Sequence, residues 1–199
     1  MSRPLVLASS SSIRLKLLLS AGLQVSAQPA RIDEDAIRES LQAIHAKPAE
    51  IADVLAEMKA RKTAEKNPDS LVLGCDQVLA IESDILKKPD TIACARSQLQ
   101  RLQGKTHQLL SAVVLYDTNK PIWRHVGVAQ MTMRQLSPDY LTAYLSRNWP
   151  DISSSVGGYK LESEGVRLFS GIEGDYFTIL GLPLLPLLAY LGDRGFLQT

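Results

Sequence analysis

The sequence lacks a strong charge of either sign. Its 199 residues include 22 Lys and Arg against 21 Asp and Glu, which leaves a formal net charge of +1. A chain this close to neutral has no sequence-independent attraction for nucleic acid or for an anionic membrane. We therefore predict neither as a partner, and any phosphate chemistry must come from a few placed cations.

Cysteines and long apolar runs are also scarce. Cys75 and Cys94 have neither CxxC nor metal-ligand spacing, so we interpret both as reduced packing residues. The amino terminus has no long apolar core of the signal-peptide kind, and the longest apolar run, 179–191, is too short to cross a bilayer. These absences predict a cytoplasmic protein.

Apolar periodicity predicts alternating strands and helices in one domain that spans residues 1–199. No repeat or low-complexity linker divides the chain. The predicted helices cover 13–20, 49–64 and 91–102, and the predicted strands cover 5–7, 71–73, 78–81, 109–116 and 122–134. This alternation predicts an α/β fold.

One carboxylate stands inside an apolar run. The strand that begins at Leu71 is predicted to stop at Gly74-Cys75-Asp76 and to resume at Val78, so that Asp76 interrupts it. Burying a carboxylate costs several kcal/mol unless it is paired or coordinates a cation. A functional role for Asp76 is therefore favoured over a hydrogen-bonded structural one.

Basic side chains and hydroxyls follow two predicted strands. Ser9 to Ser12, just before Arg14, form either an anion site at a helix start or ordinary capping residues. Lys87 and Lys88 end a predicted hairpin that returns a lysine towards Asp76, although adjacent lysines at a turn are commonly just solvated.

Two acidic groups have two interpretations each. Asp33-Glu34-Asp35 offers oxygen ligands for a hard divalent cation, or acidic residues that favour a helix start. Glu162 and Glu164 follow a glycine turn and form either a pocket rim or a plain hairpin.

Five motifs in order resemble the Maf (septum-formation protein) family of nucleotide pyrophosphatases, over nearly the full chain. They are LASSSSIR at 7–14, IDED at 32–35, GCDQV at 74–78, KKP at 87–89, and GGYKLESEG followed by GDYFTILGLPL. The resemblance implies a mixed twisted sheet with flanking helices that form two lobes around a central cleft, as in inosine triphosphatase-like folds. It also implies an enzyme that uses Mg, Mn or Co and hydrolyses a nucleoside triphosphate to monophosphate and pyrophosphate.

The resemblance assigns roles to individual residues. The catalytic group it implies is Asp76, Lys88, Lys59 and Arg14. The substrate-binding group is Ser9, Ser11, Arg14, Gln77 and Glu162, and the metal-binding pair is Glu34 and Asp76. Cations and a carboxylate suit this chemistry, because charge spreads over phosphate oxygens while a water is deprotonated.

Three positions resemble the subgroup that acts on 7-methyl-GTP: Ile13 where many members have arginine, Gln77 where many have threonine, and Glu162 where many have glutamine. A carboxylate at 162 can accept hydrogen bonds from guanine N–H groups. His107, in Gly-Lys-Thr-His, instead resembles members that act on dTTP and UTP. That activity, a non-catalytic nucleotide-binding regulator of septum formation, and a homodimer all remain open.

Overall fold

The computed structural model describes residues 3–197, which are built around a seven-stranded mixed sheet. The strands are β1 (Leu5–Leu7), β2 (Val25–Ala27), β3 (Leu71–Ile81), β4 (Asp84–Leu86), β5 (Thr106–Asp117), β6 (Lys120–Met133) and β7 (Phe169–Glu173). Their order is β2-β1-β3-β5-β6-β7, and β4 pairs with the end of β3. β1 runs parallel to β2 and β3, while the other pairs are antiparallel.

Helices cover both faces of this sheet. They are α1 (Ser12–Ser20), α2 (Glu34–Ala43), α3 (Pro48–Ala64), α4 (Ile92–Leu102), α5 (Pro138–Asn148), α6 (Tyr176–Ile179) and α7 (Leu184–Asp193), with 3-10 turns at Asp151–Ser154, Val156–Gly158 and Glu164–Leu168. Ser11, Thr91 and Ser137 cap their helices through side-chain oxygens. Within residues 3–197, no helix is both long and apolar enough to span a bilayer.

The predicted break in the central strand is wrong. β3 continues through Asp76, which pairs with Ala112 of β5 in an unbroken ladder. A buried carboxylate requires a partner for its charge, but the backbone N–H and C=O of the same residue can still pair with the neighbouring strands. Asp76 is therefore held on a rigid strand rather than on a loop.

Three apolar clusters define two lobes. In the first lobe, one cluster packs Leu55 of α3 against one sheet face and another packs Leu18 of α1 and Leu187 of α7 against the opposite face. The second lobe packs Leu99 of α4 and Leu145 of α5 with the 3-10 turns and β7. β3 and β5 contribute to both lobes, so the predicted two-lobed α/β fold is confirmed.

Candidate active site

A cleft of about 1120 Å³ opens between the lobes. All nine residues to which the family resemblance gave a site role line it: Ser9, Ser11, Arg14, Glu34, Lys59, Asp76, Gln77, Lys88 and Glu162. Glu164, the other candidate for the pocket rim, does not. The cleft is large enough for a nucleotide, since small-molecule pockets commonly measure about 300–1,000 Å³.

Close packing of α3 on β3 brings the central charges together. A Cβ at Gly74 would lie 2.0 Å from the carbonyl oxygen of Ala56, so only glycine permits this approach. Lys59, on the same helix, then extends over β3, and its Nζ lies 2.6 Å from Asp76 Oδ1. The same Nζ lies 3.0 Å from Glu34 Oε1 at the start of α2.

The Lys59–Asp76 pair is buried, with exposed fractions of 8% and 5%. Such a pair is stable only when the partners stay together, because removing one leaves an uncompensated buried charge. Asp76 Oδ2 is also buried and has no hydrogen-bond partner among residues 3–197. One carboxylate oxygen is thus committed to Lys59, and the other remains able to accept a proton or bind a cation.

The serine loop is organised around Arg14. Ser9 Oγ accepts hydrogen bonds from the Ser11 N–H at 3.2 Å and from Arg14 Nη1 at 3.3 Å. Arg14 Nε donates to the Gly181 carbonyl at 2.7 Å, and its Nη1 also donates to the Cys75 carbonyl at 3.1 Å. Gly181 has φ +90, and a Cβ there would approach the guanidinium. Much of Arg14 therefore joins chain segments, while its charge still adds positive potential to the cleft.

Lys88 and Glu162 also line the cleft. Partial removal from water lowers the pKa of Lys88, and the neighbouring cations Arg14 and Lys59 lower it further. Glu162 is exposed, and no other described residue hydrogen-bonds to its carboxylate or forms an ion pair with it. Both side chains are thus available to a ligand.

Gln77 is more firmly held than the sequence indicates. Its Nε2 donates to Ser111 Oγ and to the Ile179 carbonyl, each at 2.9 Å, and to the Thr178 carbonyl at 3.2 Å. These contacts attach α6 to the sheet and occupy the Nε2 end of the Gln77 amide. Sequence reasoning missed Ser111 and Thr178, although each is a polar residue inside an apolar run, the same signal that marked Asp76.

His107 has a structural setting. It is 1% exposed, and its Nε2 lies 2.7 Å from the hydroxyl of Tyr159. Burial lowers the pKa of His107 to about 4. Of the described residues that line the cleft, Tyr159 is one and His107 is not. Although the sequence around His107 resembles that of members acting on dTTP and UTP, its imidazole does not line the cleft.

A dense metal cage is absent from the part of the chain that the structure describes. No three His, Cys, Asp or Glu side chains of residues 3–197 come together around one point. Glu34 and Asp76 do face the same Lys59 ammonium, and Asp76 Oδ2 is unpaired. One or two carboxylates together with substrate phosphates are a common set of ligands for Mg²⁺.

The family profile described as Maf-like protein matches residues 4–194. The chain belongs to the Maf family. It is 50% identical over 199 residues, all of both chains, to a Ruegeria pomeroyi protein named nucleoside triphosphate pyrophosphatase. It is also 50% identical over 187 residues, 94% of both chains, to a Brucella abortus protein named 7-methyl-GTP pyrophosphatase.

Solved structures give a more distant likeness to this Maf protein. A Mycobacterium abscessus nucleoside-triphosphatase, dITP/XTP pyrophosphatase, matches with a TM-score of 0.49 and 12% identity over 96% of this chain and 95% of that one. A HAM1 protein from Coxiella burnetii matches with a TM-score of 0.46 and 17% identity over 76% of this chain and 97% of that one.

Proposed function

We propose that this Maf protein hydrolyses nucleoside triphosphates at the α–β bond and releases a nucleoside monophosphate and pyrophosphate. The proposal depends on the setting of Asp76, a buried carboxylate in a cleft large enough for a nucleotide. One of its oxygens is paired to Lys59, and the other is unpaired among the described residues. The names of the Ruegeria and Brucella relatives, which are each half identical to the chain, support the same reaction.

In this reaction Asp76 Oδ2 accepts a proton from the attacking water. Lys59 holds the carboxylate in place and, with Lys88, brings positive charge to the side of the cleft where phosphate oxygens gather. Preorganised cations stabilise the transition state because charge builds up on those oxygens as the bond breaks. The serine loop and Arg14 bound the same pocket and receive the rest of the triphosphate.

A divalent cation, Mg, Mn or Co, belongs to this proposal. Glu34 and Asp76 would hold it, since both carboxylates approach one point of the cleft, beside the Lys59 ammonium. When bound, it supplies charge neutralisation at the phosphate oxygens. Lys59 already lies between the two carboxylates, so the ammonium keeps them close before any cation binds.

The preferred substrate is a guanine nucleotide methylated at N7. Glu162 at the cleft rim can accept guanine N–H hydrogen bonds, and its negative charge favours the positive methylated ring. The name of the Brucella relative points to the same substrate.

Four further expectations stay predictions: a single domain over residues 1–199, a cytoplasmic location, a homodimer and the lack of nucleic-acid binding.

Pyrophosphate release tests the proposal. Purified protein with Mg²⁺, Mn²⁺ or Co²⁺ is screened against 7-methyl-GTP, GTP, dTTP and UTP. We expect turnover with 7-methyl-GTP, and a loss of about 10²–10⁴ in kcat for Asp76→Asn, because the amide cannot accept the proton.

Asp69→Asn is the matched control, since Asp69 lies exposed in the turn before the same strand. It should retain wild-type turnover. Unchanged kcat in Asp76→Asn would refute the role of Asp76. Preference for dTTP or UTP would overturn the base assignment and leave the reaction standing, whereas tight binding without hydrolysis would select a nucleotide-binding regulator.

A further inference from the structure

The side chain proposed to read the nucleobase has no support of its own. Glu162 is exposed at the rim of the cleft, and within residues 3–197 no side chain or backbone group hydrogen-bonds to its carboxylate. A flexible, unsupported carboxylate pays an entropy cost when it binds. The position of Glu162 therefore depends on the backbone that carries it.

That backbone is a tight turn. The Ser163 N–H donates to the Lys160 carbonyl at 3.3 Å, which closes a four-residue turn with Glu162 at its third position. Leu161 is 8% exposed and fixes the turn to the second lobe. Gly165 then returns against the start of the turn, where a Cβ would lie 2.3 Å from the Lys160 carbonyl oxygen.

Glu164 attaches this turn to the end of α5. Arg147 contacts both carboxylate oxygens, with Nε 3.1 Å from Oε2 and Nη2 on Oε1. Asn148 Nδ2 also donates to Oε2, at 2.9 Å. These hydrogen bonds lower the pKa of Glu164 to about 2, so the group is charged at neutral pH. A bidentate guanidinium–carboxylate pair fixes orientation as well as distance.

We propose that Glu164 and Arg147 are positioning residues for nucleobase recognition. They hold the Lys160–Ser163 turn so that Glu162 faces the base, and neither is among the described residues that line the cleft. The inference rests on the proposed function, because it assigns the base to Glu162. The inference gives different roles to two acidic residues that are two positions apart: Glu162 contacts the ligand, and Glu164 positions Glu162.

Arg147→Gln tests the clamp. Losing this charge-assisted bidentate pair should raise KM for 7-methyl-GTP about tenfold, which corresponds to about 1.4 kcal/mol. We expect kcat to stay within about twofold, since the variant leaves Asp76 and Lys59 untouched, and KM for UTP to stay near wild type. The control is Arg101→Gln, which breaks the exposed pair with Asp84 and should change neither constant.

Two further measurements separate positioning from general damage. The charge swap Arg147→Glu with Glu164→Arg should recover most of the lost 7-methyl-GTP affinity, whereas a purely structural defect would not recover. Calorimetry with 7-methyl-GMP should give the same tenfold weakening in Kd without any chemistry.

Unchanged KM and Kd in Arg147→Gln, an equal rise in KM for UTP, or no binding of 7-methyl-GMP by the wild-type protein would each overturn the inference. A different outcome would refute the proposed function. If the wild-type protein binds 7-methyl-GMP, and Arg147→Gln weakens that binding as expected, but no pyrophosphate is released, the inference stands and the enzymatic activity is refuted.

Discussion

At the scale of single residues, Lys59 is the centre of the site. Its ammonium contacts Asp76 at 2.6 Å and Glu34 at 3.0 Å, and it is 8% exposed. A buried cation between two carboxylates offsets their mutual repulsion and keeps both groups in one place. We therefore expect Lys59 to contribute both to stability and to the proposed reaction.

Removing this ammonium with the uncharged thioether side chain of methionine tests both contributions. We expect Lys59→Met to lower kcat/KM at least about 100-fold, because a preorganised charge on the reacting phosphate is lost. The free energy of unfolding should fall by about 3–5 kcal/mol, since Asp76 remains buried and unpaired. Pyrophosphate release and urea unfolding measure the two effects.

Lys62→Met on the same helix is the control for that variant, since Lys62 is exposed. Adding Asp76→Asn to Lys59→Met should restore part of the lost stability and none of the activity. A Lys59→Met protein with wild-type kcat/KM would contradict the assignment.

The buried imidazole of His107 predicts how stability depends on pH. Its folded pKa of about 4 lies below its ordinary value of 6.5, so between these values the unfolded chain binds a proton and the folded chain does not. Stability present above pH 6.5 is therefore lost as the pH falls towards 4, by about 3 kcal/mol from this group.

His107→Gln should remove this part of the pH dependence, whatever it does to stability at pH 7. Urea unfolding of wild type and variant at several values between pH 4 and 7 gives the two slopes. Identical slopes would show that another group is responsible.

Single residues differ in how visible they are in the sequence. Asp76 stands out because a charge in an apolar run needs a partner, and Ser111 could have been found in the same way. That Arg14 also joins distant segments of the chain could not be predicted from its neighbours, because one of its acceptors, the Gly181 carbonyl, lies 167 positions away. Every residue has a backbone carbonyl, so the sequence does not show which carbonyl accepts a long-range hydrogen bond.

At the scale of elements, the contact of α3 with β3 positions the site. Gly74 allows the backbone of the helix to lie against the strand, and Lys59 reaches Asp76 only from that distance. Helix α3 itself was predictable from its apolar period, whereas its distance from the strand depends on a single missing Cβ.

Gly74→Ala should therefore act on the site through the packing. The added Cβ meets Ala56 O at 2.0 Å and the Ala60 nitrogen at 2.7 Å, so α3 must shift. We expect the free energy of unfolding to fall by at least about 1–3 kcal/mol, and kcat to fall with it as Lys59 moves from Asp76.

Gly171→Ala in β7 is the matched control, because its nearest neighbouring atom would be 3.7 Å from the new Cβ. It should unfold at the wild-type denaturant midpoint and retain wild-type kcat. A Gly74→Ala protein as stable and as active as this control would disprove the packing argument.

The continuity of β3 shows where element prediction fails. Sequence reasoning placed a break at Asp76 because a charge is unfavourable in a buried strand. The structure keeps the strand because Lys59, from another element, satisfies the charge. Periodicity identifies helices and strands, but it does not include partners supplied by tertiary contacts.

At the scale of the whole molecule, the cleft separates two lobes that share β3 and β5. A ligand that touches both sides stabilises the folded chain as one unit. A GTP analogue methylated at N7, with a methylene group between the α and β phosphorus atoms, should raise the free energy of unfolding by about 2.7 kcal/mol at a hundredfold excess over its Kd.

Thermal unfolding with Mg²⁺ and increasing analogue checks this expectation. Lys88→Met should need more analogue for the same shift, because Lys88 lines the cleft. An unfolding temperature that does not change with analogue would exclude binding in the folded state.

The hydrogen bonds from Arg14 to Gly181 and from Gln77 to Ile179 also determine when the site can exist during synthesis. The serine loop, Lys59 and Asp76 leave the ribosome long before residues 179–181 do. Until those residues emerge, Arg14 Nε and Gln77 Nε2 each lack one backbone acceptor, and the part of the cleft wall formed by Ile179 and Leu180 is missing. A nascent chain thus cannot complete this nucleotide site before residues 179–181 are available to it.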